Sequence, residues 1–413
     1  MTEVILDGGR ARLPGLVNAH SHAFHRVLRG LGETAAGDFW TWRSLMYQVA
    51  DRLGPESYKA LATCVFAEMA LAGFTAVGEF HYLHHQPGGK PYDDPNEMSF
   101  ALLEAAEVAG LRLCLLDACY LQASVEGAPL EGAQLRFSDG GGDTWSRRVQ
   151  DAIDSGRFEG IHRLGAAIHS VRAVPPSAMG SVAALAATFG LPLHVHVSEQ
   201  RAENEACLAA LQKSPTDLLE EVGALTSSTT AVHATHLRPN EVTRYGLARC
   251  GICACPTTER DLGDGVGPFR ELADSGAVLS LGSDSQAVID PFEEARSLEC
   301  HQRLEQERRG IMAPSELLAA ATTGGARSLG YGEQELDDWT YVRLDGSLQL
   351  AGWAASAGDD LTARVLFGAS PADVDEVVVA GRRIVEAGEH HLLGPRRAVA
   401  ARLNAVVREL LDR

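Results

Sequence analysis

The chain has 413 residues, with 36 Lys+Arg against 55 Asp+Glu, and carries a formal charge of −19 with its 15 His taken as neutral. Such an acidic excess argues against nucleic acid, whose binding needs basic patches to displace counterions, and against anionic membrane surfaces. At 45% hydrophobic residues the composition is that of a globular protein, long enough for two or three domains or for one α/β barrel of about 250 residues with additions.

The opening MTEVILDGGRARLPG lacks the basic start and long apolar run of a signal peptide, and no apolar run reaches the ~18 residues of a membrane span. A cytoplasmic protein is expected. From Leu16 onward apolar runs alternate with helical patterns. The expected strands are Leu16–His20, Thr75–Phe80, Leu111–Ala118, Leu164–Ser170, Leu191–Val197, Thr229–Thr235, Ile252–Pro256 and Ala277–Asp284. They are continuously apolar, as parallel strands buried on both faces are. Helical patterns run over Ser57–Ala72, Glu97–Ala109, Pro176–Phe189, Arg201–Gln212, Pro239–Arg249 and Phe292–Arg309. Gly73, Gly110, Gly190, Gly251 and Gly276 punctuate the helix-to-strand turns.

This alternation predicts an α/β fold, a (β/α)8 TIM-like barrel over residues 14–330. The competitor is an open doubly wound sheet, but no G-x-G-x-x-G opens a helix and no G-x4-G-K-[ST] occurs. Two loops interrupt the rhythm: HHQPGGKPYDDPN (84–96) after the second strand, and FSDGGGDTW (137–145) between the third and fourth. After Gly330 the pattern changes. DDLTARVLFG and VDEVVVAGRRIVEAGE read as short strands and turns, so residues 331–390 are expected to join residues 1–13 in a small composite β-domain. Residues 391–413 form a C-terminal helix, with Val399, Leu403, Val406, Val407 and Leu410 on one face of Arg396–Leu411. The 8 Cys read as buried thiols, and Cys250, Cys253 and Cys255 as strand packing.

Several strands end in residues that carry chemistry. His20 and His22 alternate at the end of the first strand, so both imidazoles can face one metal ion. His194, His196 and Glu199 close the fifth strand, His233 the sixth and Asp284 the eighth. Singly, each has a bland reading: His233 as a satisfied core histidine, Asp284 as a helix cap. Together they place His and Asp from four strands on the C-terminal rim of one barrel, where active sites of this fold lie. Three His plus one carboxylate suit zinc or another divalent first-row ion.

In their order, PGLVNAHSH, HVHVSEQ, AVHATHL and LGSDS resemble the amidohydrolase superfamily, and more narrowly its mononuclear aminohydrolase branch. The resemblance implies one Zn2+ per chain held by His20, His22, His196 and Asp284, with Glu199 as proton shuttle and His233 as catalytic histidine. Asp284 would share with His233 the handling of the attacking water. No lysine stands at the ends of the fourth or fifth strands, which disfavours the binuclear branch. FWTWRSLMY, VGEFHYLHH and IHSVRAV further resemble the formimidoylglutamate deiminase family of histidine degradation. By that resemblance Arg43, Tyr82 and Arg172 bind a dicarboxylate substrate, with His169 and His25 in the same pocket. Guanidinium is the best single partner for a carboxylate. His25 stands where that family has Gln, and Gln286 where it has His. His81, His84 and His85 are expected to be solvated loop residues. Rival readings are an aminohydrolase of a purine, pyrimidine or other heterocycle, an imidazolonepropionase-like ring hydrolase, and a non-catalytic barrel scaffold. A homodimer is the default expectation.

Overall fold

The computed structural model describes residues 3–31, 39–332, 335, 337–353 and 358–412, the side chains at 39–41 and 359 excepted. Two short strands, β1 (Ile5–Asp7) and β2 (Arg10–Pro14), precede the barrel. Its strands follow in chain order: β3 (Leu16–Ser21), β4 (Phe74–His81), β5 (Arg112–Cys119), β6 (Arg163–Ser170), β7 (Leu193–Val197), β8 (Thr229–His233), β9 (Gly251–Ala254) and β10 (Val278–Leu281). Each pairs in parallel with the next, and helices fill the connections. Every residue of β3, β4, β5, β7, β8 and β9 is buried, which is why these strands read as unbroken apolar runs.

Closure of the ring is sparse. Among the described residues, β10 and β3 meet through one bridge, Ser21 opposite Asp284. The Asp284 amide donates to the His20 carbonyl at 3.0 Å, and the His22 amide to the Asp284 carbonyl at 3.1 Å. Gly282 makes the approach possible: a Cβ there would lie 2.7 Å from His20 Cβ and 2.8 Å from the His20 carbonyl oxygen.

A second, antiparallel sheet combines both ends of the chain. Its later strands are β11 (Trp339–Arg343), β12 (Val374–Val379), β13 (Arg382–Glu386), β14 (Glu389–His390) and β15 (Gly394–Pro395), in the order β1-β2-β11-β12-β13-β14-β15. Asp338 fastens it to the barrel. Its carboxylate accepts from Arg112 Nε at 2.7 Å and a second guanidinium nitrogen at 3.0 Å, and its carbonyl from the Gly15 amide at 2.8 Å. The helix Arg396–Asp412 buries Val399, Leu403 and Leu410 and packs against the Pro55–Ala72 helix.

Three local expectations need correction. DDLTARVLFG is a helix, Asp359–Gly368, because Leu361, Val365 and Leu366 share one buried face at helical spacing. Residues 354–357 before it lie outside the described residues. The 137–145 loop ends early, with the helix Gly142–Asp154 starting inside it and burying Trp145. Gly251 opens β9 rather than capping a helix; the left-handed turn there is carried by Arg249 at φ 53°. The cysteines are free, seven buried and Cys300 half-buried, with Cys250, Cys253 and Cys255 packed along β9 as expected. Among the described residues no helix is long and apolar enough to cross a membrane.

Gly282→Ala tests the seam. Overpacking against the His20 backbone should lower stability by about 1–3 kcal/mol, read from a reduced denaturant midpoint at unchanged m-value.

Candidate active site at the closing seam of the barrel

The seam carries the metal-ligand candidates. His20 Nε2 lies 3.2 Å from His22 Nε2, 3.0 Å from His196 Nε2 and 3.4 Å from Asp284 Oδ1, and His22 Nε2 is 3.3 Å from the same oxygen. One ligand atom from each of the four falls within 4.8 Å of the others. Backbone carbonyls set the tautomers. His22 Nδ1 donates to the Phe80 carbonyl and His196 Nδ1 to the His169 carbonyl, both at 2.9 Å. The Nε2 lone pairs of His22 and His196 are thereby bare and converge on His20, an arrangement a cation relieves.

Charge states agree with that donor set. Burial pushes His20 down to about 3 despite Asp284 beside it, and lowers His22 as well. Burial, with neighbouring imidazoles, holds His196 well below the usual histidine range. Burial alone would raise the Asp284 carboxyl, but the bond to His20 and the nearby imidazoles keep it below the ordinary carboxylate range. Neutral imidazoles and an ionised carboxylate are what a divalent first-row ion takes.

Beside this centre stands His233. Its Nε2 faces Asp284 Oδ2 at 3.6 Å and Glu199 Oε1 at 3.8 Å. Its Nδ1 donates to Glu259 Oε1 at 3.4 Å, and that oxygen also accepts from the Cys255 amide at 2.9 Å. Burial would lower His233, but Glu199, Glu259 and Asp284 together hold it well above its usual range. Sequence reasoning missed Glu259. The signal was available: PTTERDL opens a helix immediately after β9, on the same rim.

A cleft opens over the centre. Arg43, on the Phe39–Arg52 helix, donates to the Tyr47 hydroxyl at 2.6 Å and approaches Tyr120 Oη at 3.4 Å. The side chains of Phe39, Trp40 and Thr41 in the FWTWR motif lie outside the described residues. Tyr82 Oη contacts His25 Nε2 at 2.9 Å, and the His25 ring lies 4.5 Å from that of His22. His169 packs against Tyr120, ring centroids 4.5 Å apart. Arg172 reaches Glu199 Oε2 at 3.1 Å and Glu203 Oε2 at 2.8 Å, so it both lines the cleft and pairs with two carboxylates. Gln286 is not in the cleft; it lies fully buried behind the ligands.

Other histidines go elsewhere. His194 Nε2 donates to the Ser328 carbonyl at 2.8 Å, away from the centre. His81, His84 and His85 are buried, not solvated. His84 donates to the Ala118 carbonyl at 2.9 Å and His85 meets Asp139 at 3.0 Å. The loop is drawn inward because the Arg136 carbonyl accepts the amides of both. His81, His84 and Asp117 also come within ligating distance of one another. There, however, Asp117 is engaged by two Arg148 nitrogens at 2.7 and 2.8 Å and by Trp145 Nε1 at 2.9 Å, a buried ion pair that leaves no vacant oxygen for a metal.

This barrel and rim are those of the amidohydrolase family: residues 12–334 match it, and the chain belongs to it, as a hydrolase of carbon–nitrogen bonds. Within that class, the chain is similar to formimidoylglutamate deiminase of Pseudomonas aeruginosa. The two are 39% identical over 98% of this chain and 90% of that protein. The 8-oxoguanine deaminase of the same organism is 29% identical over 91% of this chain and 82% of its own length. Among solved structures, an amidohydrolase from Brucella melitensis superposes with a TM-score of 0.88 at 31% identity, covering 99% of this chain and 95% of that one.

Metal analysis discriminates between the clusters. One equivalent of divalent ion per chain is expected; His196→Ala should lose it, and His84→Ala in folded protein should keep it.

Proposed function

We propose that this protein hydrolyses N-formimidoyl-L-glutamate to N-formyl-L-glutamate and ammonia, a step of histidine degradation, with Zn2+ held by His20, His22, His196 and Asp284. The observation that carries the substrate is the pair Arg43 and Arg172 lining one cleft above that centre, in a chain of net charge −19. Two guanidiniums suit the two carboxylates of glutamate. The 39% identity to a formimidoylglutamate deiminase over nearly the whole chain supports the same reading.

Bound zinc supplies a water acidified toward neutral pH. The chain's own groups do the rest. Asp284 Oδ2 is placed to take the proton of the attacking water, and His233 Nε2, 3.6 Å from that oxygen, to orient the water. Water oxygen bonds to the formimidoyl carbon, and Glu199 passes a proton to the imino nitrogen. The added hydroxyl then gives up its proton, the departing nitrogen gains a second proton through Glu199, the carbon–nitrogen bond breaks, and ammonia leaves the formyl amide behind. Arg43, Arg172 and Tyr82 hold the glutamate moiety, and His169 and His25 shape its pocket. Glu259 keeps the Nδ1 proton of His233 directed away from the reaction, leaving Nε2 to face it.

A second reading has its own observation. Tyr82, Tyr120, Phe137 and His169 put four rings in the same cleft, a wall on which a heterocycle stacks, and 8-oxoguanine deaminase is a relative. Ammonia release by the zinc-loaded protein from formimidoyl-L-glutamate, guanine, cytosine and adenosine decides between them. Turnover of the first alone is expected; turnover of a heterocycle instead overturns the arginine-pocket assignment. Glu199→Gln should retain its metal while losing nearly all turnover. Arg172→Met should lower kcat/KM for the dicarboxylate about 10-fold or more, the scale of a ~1.4 kcal/mol loss.

A further inference from the structure

A buried polar chain lies behind the ligands and spans the seam. Glu79, on β4, is fully buried. Its Oε2 accepts from Ser21 Oγ at 2.6 Å and its Oε1 from the Ala23 amide at 2.6 Å. These are the residues between and just after His20 and His22, so one carboxyl grips the ligand pair from behind. Ser21 Oγ in turn accepts from Gln286 Nε2 at 2.9 Å. The same amide nitrogen reaches the Asp284 carbonyl at 3.1 Å, and Gln286 Oε1 accepts from Ser283 Oγ at 2.8 Å. Asn18 closes the circuit, donating to Ser283 Oγ at 2.6 Å and accepting from the Ser283 amide at 3.0 Å. Strands one, two and eight of the barrel are thus tied together at the point where their ladder has a single bridge.

We propose that Glu79 is a positioning residue of the metal centre, acting through Ser21 and Gln286 to fix the separation of His20 and His22 from Asp284. This rests on the metal reading above and extends it to residues that touch neither metal nor substrate. The physical reason is leverage. His20 and His22 sit on one chain segment and Asp284 on another, and the two share few backbone bonds, so their spacing is set by whatever side chains cross the seam. Polar side chains that are buried and fully partnered adopt one arrangement, since breaking any bond strands a partner away from water. The Ala23 amide needs only a lone pair from Glu79 Oε1, which the carboxyl offers whether ionised or neutral.

The test uses full-length protein, metal-depleted and titrated with zinc against a chromogenic chelator, as wild type, Glu79→Gln, Glu79→Ala and Ser21→Ala. Each is also melted with and without zinc. The expected order of zinc dissociation constants is wild type, then Gln, then Ala at position 79, with Ala about 10- to 100-fold weaker than wild type, as for other outer partners of metal ligands. The stabilisation that zinc confers should shrink in parallel. Ser21→Ala, which leaves the Ala23 bond intact, should fall between wild type and Glu79→Ala, and it carries the test if Glu79→Ala does not fold. A purely structural Glu79 would lower both melting temperatures together and leave zinc affinity within about threefold of wild type; that result overturns the proposal. A wild-type chain that binds no zinc overturns the metal reading and the proposal with it, whereas wild-type binding with unaltered variants overturns the proposal alone.

Discussion

The constraint on which the structure depends is closure of the barrel between its first and last strands. Elsewhere, neighbouring strands are locked by ladders several residues long. At the seam a single bridge does the work, and the residues that make it, Ser21 and Asp284, are one ligand candidate and the residue between two others. Closing the ring and assembling the donor set are therefore the same event. Shortness of the seam has a use: a full ladder would commit the backbone groups around His20 and Asp284 to extended geometry. One bridge instead lets Asp284 turn its carboxylate across the barrel mouth. The sequence requirement is severe at Gly282, where any side chain collides with the His20 backbone.

Burial then divides the titratable groups into two kinds. The imidazoles of His20, His22 and His196 face one another, and desolvation keeps them neutral, as ligands must be. His233 is buried as deeply but faces Glu199, Glu259 and Asp284, and three carboxylates reverse the outcome. The same ring in two settings is held neutral in one and cationic in the other. Arginine follows a parallel logic. Arg136 is held by the carbonyls of His85, Ala50 and Leu53, but other inward-reaching guanidiniums draw carboxylates: Arg148 takes Asp117 and Asp139, Arg112 takes Asp338, and Arg172 takes Glu199 and Glu203. Only the last of these lines the cleft.

Much of this was readable in the amino-acid order, and the failures have physical causes. The barrel strands announce themselves because burial on both faces demands unbroken apolar runs. His20, His22, His196, Glu199, His233 and Asp284 stand at strand ends, so their convergence follows from the fold. Residues acting at right angles to the chain were not readable. Glu79 lies inside a strand and Glu259 inside a short helix, and neither motif shows which neighbour they meet. His81, His84 and His85 looked like loop residues because polarity was taken for exposure; Arg136, hydrogen-bonding through its own carbonyl to the loop, draws them in. The helix Asp359–Gly368 was missed because its first turn is acidic and its apolar residues, clustered late, mimic a strand. The helix Pro215–Glu221 carried a signal that went unread: Ser214 accepts the Asp217 amide at 3.2 Å while Asp217 accepts the Ser214 amide at 2.8 Å, a reciprocal N-terminal cap.

Backbone strain points to the same rim independently of any side-chain chemistry. Ten non-glycine residues among those described have positive φ. Gln212 and Glu307 end helices, Arg249 carries the turn into β9, and Ala380 and Ala387 lie in the turns beside β13, places where left-handed residues are ordinary. The remaining five are Ser198, His233, Ala234, Asp284 and Gln286, at the ends of β7, β8 and β10. Such conformations cost about 1–3 kcal/mol each for a residue with a side chain and persist only where surrounding structure imposes them. Nothing about closing a barrel requires them, since β4, β5 and β6 end without any. They occur where a strand must stop and turn a side chain across the mouth. His233 and Asp284 carry the strain themselves, while Ser198 and Gln286 sit beside Glu199 and Asp284. The strain thus falls on the strands that bring Glu199, His233 and Asp284 to the centre, whereas β3 brings His20 and His22 there in ordinary extended backbone.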